Sequence, residues 1–190
     1  MNFSSRPLIV ADLSLASMLD RKWFGEYGIS EAQLNEYINQ HQAESIGLLV
    51  DNIFSGFATF ELLNEGSLPS DYVGEIPNIG KVLFIQQFTT KTNYSKEDMS
   101  MDLGLLRAVE LKAEELGCDE VWEALATTHP YSEKVNSKYD AFGLYTGRGY
   151  SFDVERNISW EPDSKTSVAC YLFRKKLSKS LNGELGISIS

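Results

Sequence analysis

Between residues 81 and 126 the chain passes from an almost continuous apolar run, through a long helical stripe, to a second short apolar run. The first run, Lys81 to Thr90, holds Val82, Leu83, Phe84, Ile85 and Phe88. A strand with so little alternation is buried on both faces. Met99, Leu103, Leu106, Val109, Ala113 and Leu116 then keep one stripe of a helix, and Gly117 supplies its stop. Glu120 to Ala126 is the second strand. Strand, helix and strand in this order fold as a right-handed crossover with the two strands parallel. The remaining elements must be arranged around that central pair.

Those elements follow from the same patterning. Pro7 to Asp12 reads as a short first strand, and the segment to about Tyr27 carries Leu13, Leu15, Met18, Leu19, Trp23 and Phe24 at mixed helical spacing. A second helix opens at Ser30, where Ser30-Glu31-Ala32-Gln33 matches a capping box and Leu34, Tyr37 and Ile38 share a face. Ile46 to Val50 and Phe57 to Leu63 are two strands joined around Asp51-Asn52 and Ser55-Gly56, a hairpin signal. A polar connection with Gly66, Pro69, Gly74, Pro77 and Gly80 leads into the central run. After it come a helix to about Tyr145 and two strands, near Tyr150 to Ile158 and Thr166 to Lys175.

A chain of 190 residues with 43% hydrophobic content fits one domain around one core. We place that domain at 1–177 and read 178–190, rich in Ser, Gly and Asn, as a disordered tail. No stretch approaches the ~18 uninterrupted apolar residues of a membrane span, and the N-terminus carries no leader pattern. The expectation is a soluble cytoplasmic protein. Cys118 and Cys170 form no cluster of metal-ligand spacing and read as buried small hydrophobes, so no metal is expected. A formal charge of −10 opposes binding to nucleic acid. It favours cationic ligands such as amines or polyamines, although acidity also serves solubility alone.

One short stretch points to chemistry. In Ala141-Phe142-Gly143-Leu144-Tyr145-Thr146-Gly147-Arg148-Gly149-Tyr150, Ala141 and Tyr145 share a helix face, and Gly149 ends the helix before an aromatic strand. A tyrosine hydroxyl on the last turn is expected to project beyond the packed core. The same residues also fit a core tyrosine followed by a glycine cap. The stretch resembles the closing motif of GNAT-type N-acetyltransferases, in which a small residue, a tyrosine and a Gly-Phe pair follow the fifth strand. Here Gly149-Tyr150 stands in for Gly-Phe. The order of elements from about Pro7 to Leu177 resembles the same fold: an α/β (α+β) domain with a mixed, mostly antiparallel sheet, a parallel pair at the fourth and fifth strands, and flanking helices.

The resemblance implies an acyl donor, acetyl-CoA, held by the end of the fourth strand and the N-terminus of the next helix. Backbone N–H groups and the positive end of a helix dipole suit a diphosphate. On this chain the implied binding residues are Phe88, Thr89 and Thr90, then Ser100, Met101, Asp102 and Leu103. The family's loop reads Arg or Gln, two residues, Gly, one residue, Gly or Ala. Glu97, Ser100 and Asp102 stand at those positions, and two of the three are acidic. A like-charge contact near 4 Å costs ~4 kcal/mol at an effective dielectric of ~20. Three readings fit: a shifted register in which Ser95-Lys96-Glu97-Asp98 caps the helix and Lys91 and Lys96 meet the phosphates, weak or differently held cofactor, or a fold that has lost its activity.

For chemistry, the resemblance implies that a splay between the fourth and fifth strands exposes an N–H near Phe88 or Thr89 to the oxyanion. Tyr145 is implied as the acid for the leaving thiolate. The base is left open among Glu123, Gln86, Gln87 and His129, with Glu123 preferred because burial among Val121, Trp122, Ala124 and Leu125 raises a carboxyl pKa. A solvated strand-edge glutamate is the plainer alternative. Trp23, Phe24, Tyr27 and Tyr37 read as core or as lining for the acceptor. Nucleophile-elbow, Walker and His-Glu-x-x-His patterns are absent, and Gly147-Arg148-Gly149 follows a helix instead of opening one. The expected activity is acetyl transfer to a primary amine of a small molecule or protein. The rival is a non-catalytic GNAT-like binding module, and a homodimer through the last strands is left open.

Overall fold

The computed structural model describes residues 1–41, 44–63, 80–92, 98–126, 141–159 and 167–178, with backbone alone at 27, 126, 142, 152–159 and 167–171. Seven strands form one sheet in the order β1-β2-β3-β4-β5-β7-β6. They are β1 (Phe3–Arg6), β2 (Ser45–Val50), β3 (Ile53–Leu63), β4 (Val82–Thr90), β5 (Glu120–Ala126), β6 (Ser151–Ser159) and β7 (Ser167–Lys176). Every neighbouring pair is antiparallel except β4 and β5. Among the described residues four α-helices flank it: α1 (Leu13–Phe24), α2 (Glu31–His41), α3 (Ser100–Glu115) and α4 (Ala141–Gly147).

The helices divide between the two faces. From α1 and α2, Leu13, Ala16, Leu19, Leu34 and Ile38 pack with Leu8, Phe54 and Phe57 on one side. On the other, Leu105, Leu106, Val109 and Ala113 of α3 and Ala141, Leu144 and Tyr145 of α4 pack with Leu83, Ile85, Val121 and Phe173. Of the stripe read along α3, Leu106, Val109 and Ala113 are buried and Met99 and Leu116 partly so, but Leu103 is exposed and Leu105 packs in the core instead. Removing a fully buried leucine such as Leu105 or Leu34 to alanine costs ~2–5 kcal/mol.

Local signals account for most boundaries. The backbone N–H of Ser30 donates to Gln33 Oε1 at 2.9 Å, and the N–H of Gln33 returns to Ser30 Oγ at 3.2 Å, completing the box that starts α2. Asp51 and Asn52, at φ 50° and 66°, make the two-residue turn between β2 and β3. Gly117 (φ 70°) and Gly149 (φ 81°) end α3 and α4. In each case the following residue reaches back to the last turn, Cys118 N–H to Ala113 O at 2.9 Å and Tyr150 N–H to Tyr145 O at 3.0 Å.

The first strand is a correction. It spans Phe3–Arg6, not Pro7 to Asp12. Pro7 has no N–H to continue the ladder. The Asp12 carboxylate then takes both Arg6 guanidinium donors, at 2.6 and 2.9 Å, and the Ile9 N–H at 3.0 Å, curling the apolar run into a 3-10 turn. The region read as a tail lies outside the described residues from 179 onward.

Candidate functional site

The parallel pair at the centre of the sheet comes apart. β4 and β5 are joined only from Val82↔Glu120 to Ile85↔Glu123. Beyond that rung β4 stays paired to β3 as far as Thr90, and β5 stays paired to β7 as far as Ala126. A cleft therefore opens between two strands of one sheet. Its local cause is a bulge: Thr59 faces Gln87 and Phe60 faces Ile85, so Gln86 is an extra residue on β4. A bulge bends and twists its strand, here away from β5. Two side chains hold it. Gln86 Nε2 donates to Glu61 Oε2 at 2.9 Å, and Tyr37 Oη donates to the carbonyl of Phe60 at 2.7 Å. Burial, and secondarily the charge of Glu44, push the Tyr37 phenol upward.

Backbone direction along the open part of β4 follows from one bond. Lys91 N–H donates to Ser55 O at 2.9 Å, so by alternation the groups of Thr89 also face β3, while those of Phe88 and Thr90 face the cleft. The Trp23 indole of α1 donates to Thr90 O at 3.0 Å. Trp23 and Tyr37 thus bind the backbone of the sheet at the cleft and its bulge. The Tyr27 side chain lies outside the described residues.

At the mouth of the cleft stands the N-terminus of α3, with Ser100 and Met101 half-buried and Leu103 exposed. Asp102 does not stand over that terminus. It is 0% exposed and turned inward, accepting the hydroxyls of Thr90 and Thr92 at 2.7 Å each. The expectation that Asp102 confronts a diphosphate is corrected: a carboxylate in the first turn is short enough to reach back to the strand end. The exposed Asp98 does meet the terminus, accepting the Ser100 N–H at 2.9 Å. The Ser100 hydroxyl and then its N–H hold the Asp98 carboxyl below its ordinary range. Lys91 is exposed beside this mouth, whereas Glu97, Lys96, Ser95 and His129 lie outside the described residues.

Glu123 occupies the last paired rung, where the cleft begins. It is 5% exposed, and its Oε2 has no hydrogen-bond partner among the described residues. Burial pushes its carboxyl well above the ordinary range. Its cross-strand partner Phe173 stacks on Tyr145 at 5.1 Å between ring centres, and Tyr145 meets Tyr150 edge-on at 5.2 Å. The Tyr145 ring is 0% exposed, so it does not project beyond the core. The reason lies in the spacing that singled it out: Ala141 and Tyr145, together with Leu144, form the buried stripe of α4. The Tyr150 hydroxyl is buried and has no hydrogen-bond partner among the described residues. Burial, then the charges of Glu110 and Glu123, push that phenol upward. Gln87 Oε1 is likewise buried and unsatisfied among those residues.

The cleft suits the thin arm of a pantetheine thioester, with backbone groups along one wall and a carboxylate at its apex. The fit at the diphosphate end is poorer, since an aspartate already takes the Ser100 N–H. Sequence reasoning missed Asp20 and the bulge at Gln86, and it read Asp98 as the closing residue of a capping box, whereas Asp98 itself accepts the Ser100 N–H. Asp98 had the clearest signal, being an Asx residue just before a helical stripe. Arg148, from the triplet after α4, instead serves a buried cluster in which Glu110 receives Arg148 and also Lys175 Nζ at 2.8 Å.

No family model matches the sequence, and a search of curated proteins finds no match. Solved structures do resemble the backbone. The ribosomal-protein-S18-alanine N-acetyltransferase from Escherichia coli aligns over 94% of this chain and 96% of its own, at TM-score 0.58 and 15% identity. An N-acetyltransferase from Staphylococcus aureus Mu50 aligns over 93% and 98%, at TM-score 0.62 and 10% identity. A GNAT-like decarboxylase in complex with isobutyryl-CoA aligns over 91% and 98%, at TM-score 0.64 and 15% identity. At such identities the likeness concerns the backbone. A sheet whose parallel fourth and fifth strands separate past one rung, with helices on both faces, gives this chain the GNAT fold.

Proposed function

We propose that this chain transfers an acetyl or related acyl group from coenzyme A to a primary amine. The observation that carries the reading is Glu123, buried and raised in pKa at the apex of a cleft between parallel strands. Coenzyme A supplies the activated acyl carbonyl. The Phe88 N–H, on the cleft side of β4, polarises its oxygen. Ionised Glu123 accepts the proton lost by the attacking amine as the C–N bond forms. Tyr145 gives its proton to the sulfur as the C–S bond breaks. A carboxylate whose pKa is raised by burial is a stronger base than an exposed one, which suits the first task. The first turn of α3, from Ser100 to Leu103, and Lys91 hold the diphosphate. The net charge of −10 supports a cationic small molecule or an exposed protein amine as acceptor, and we place the reaction in the cytoplasm.

The test is a thermal-shift scan with acetyl-CoA, followed by thiol release with a panel of amines. A ligand at 100 times its dissociation constant stabilises by ~2.7 kcal/mol. No shift at millimolar acetyl-CoA ends the reading. A non-catalytic module is the second reading, favoured by the Asp98 carboxylate on the α3 terminus. Binding without thiol release on any amine supports it.

A further inference from the structure

Past Ile85, β4 keeps β3 as a neighbour but has parted from β5. A strand end supported along one edge opens more readily than one paired on both. Its last residues are nevertheless gripped from outside the sheet. Consecutive side chains of a strand point to opposite faces, and here two consecutive threonines each meet a buried aspartate on a different helix. Thr89 Oγ1 donates to Asp20 Oδ1 of α1 at 2.5 Å, while Asp20 Oδ2 takes the Ile29 N–H at 2.7 Å. Thr90 Oγ1 donates to Asp102 Oδ1 of α3 at 2.7 Å, and Thr92 Oγ1 to Oδ2 of the same carboxylate. Asp20 is 4% exposed, and both threonines are 0% exposed.

Burying a carboxylate is costly, and a pair of apolar side chains would fill the same space more cheaply. Burial raises the Asp20 carboxyl against the two hydrogen bonds that lower it. Such an arrangement persists where geometry matters. The gripped threonines and the residue just before them carry the cleft-side backbone of Phe88 and Thr90.

We propose that Asp20 and Asp102 are positioning residues, closing on Thr89 and Thr90 from opposite faces to hold the end of β4, past its last rung with β5, in place along the acyl group. This rests on the acyl-transfer reading, because the consequence is catalytic. Neither aspartate touches the reacting atoms. Each acts through a threonine hydroxyl, and loss of either lets the Phe88 N–H wander from the position where charge develops.

The experiment uses Thr89→Val and Thr90→Val, which replace the hydroxyl with a methyl group of similar size, with Thr89→Ser and Thr90→Ser as rescue variants. Hydrogen exchange of the Phe88 to Lys91 amides needs no cofactor. Each valine variant is expected to raise exchange there by ~10-fold or more, while amides of β2 and β7 stay close to native. With acetyl-CoA and an amine, kcat is expected to fall ~10-fold with little change in KM, and serine to restore both readouts. The double valine variant is expected to be non-additive, since both grips hold one strand. Unchanged exchange at 88–91, a rise spread evenly over the sheet, or failure of serine to rescue overturns the proposal. A wild-type protein that neither binds acetyl-CoA nor releases thiol defeats the acyl-transfer reading instead, and the exchange data still decide whether the grips hold.

Discussion

Ile85 and Glu123 form the last rung between β4 and β5, so a carboxylate with one oxygen unpartnered among the described residues lies where the sheet divides. Its environment makes a prediction with a definite sign. The folded state raises the Glu123 carboxyl above its model value of 4.5, so the folded protein binds the proton more tightly than the unfolded chain. The stability this group contributes is full below that value and is lost as pH rises through the elevated folded pKa. Glu123→Gln should therefore be as stable as the native protein in acid and more stable by ~1–3 kcal/mol in mild alkali. Urea denaturation across this range is the measurement. The same variant should lose turnover.

Tyr145→Phe keeps the ring against Phe173 and Tyr150. Thiol release should slow by ~10²-fold or more, as for loss of a general acid, with acetyl-CoA affinity nearly unchanged. Unaltered turnover in a single-turnover assay removes Tyr145 from the mechanism.

Gly56 and Gly117 make a matched pair of alanine tests. A Cβ on Gly56 would lie 2.7 Å from the Thr89 carbonyl oxygen and 3.0 Å from Thr90 Cγ2, pushing the end of β4 toward the cleft. A Cβ on Gly117 meets nothing within 4 Å among the described residues, and its penalty is the positive φ of 70°, ~1–2 kcal/mol. Both variants should melt lower, but only Gly56→Ala should weaken acetyl-CoA binding in titration calorimetry.

Asp98→Asn keeps an oxygen for the Ser100 N–H while removing a negative charge from the α3 terminus. Acetyl-CoA should bind several-fold tighter, most clearly at low salt. Equal affinity at low and high salt would place the diphosphate elsewhere.

The crossover was legible because its signals are local: an unbroken apolar run, a stripe of i, i+3 and i+4 spacing, and a glycine that can adopt φ 70°. The positions of Glu123 on a strand and Tyr145 on a helix were legible for the same reason, each standing in a short, patterned segment, but the burial of the Tyr145 ring was not. The apolar run after Pro7 misled, because its curl depends on Asp12 reaching back to Arg6. Asp20 reads as an ordinary polar position on α1, since the partner that explains its burial is 69 residues away. The bulge at Gln86 is a property of pairing between strands, and no single segment encodes it.

The buried Glu110 ties α3 to the end of α4 through Arg148 and to β7 through Lys175. Severing a buried ion pair by deleting one partner costs ~3–5 kcal/mol. The helix that begins at the cleft mouth and the helix that carries Tyr145 are therefore geared together. A shift of one is expected to load the other through Glu110 and Arg148.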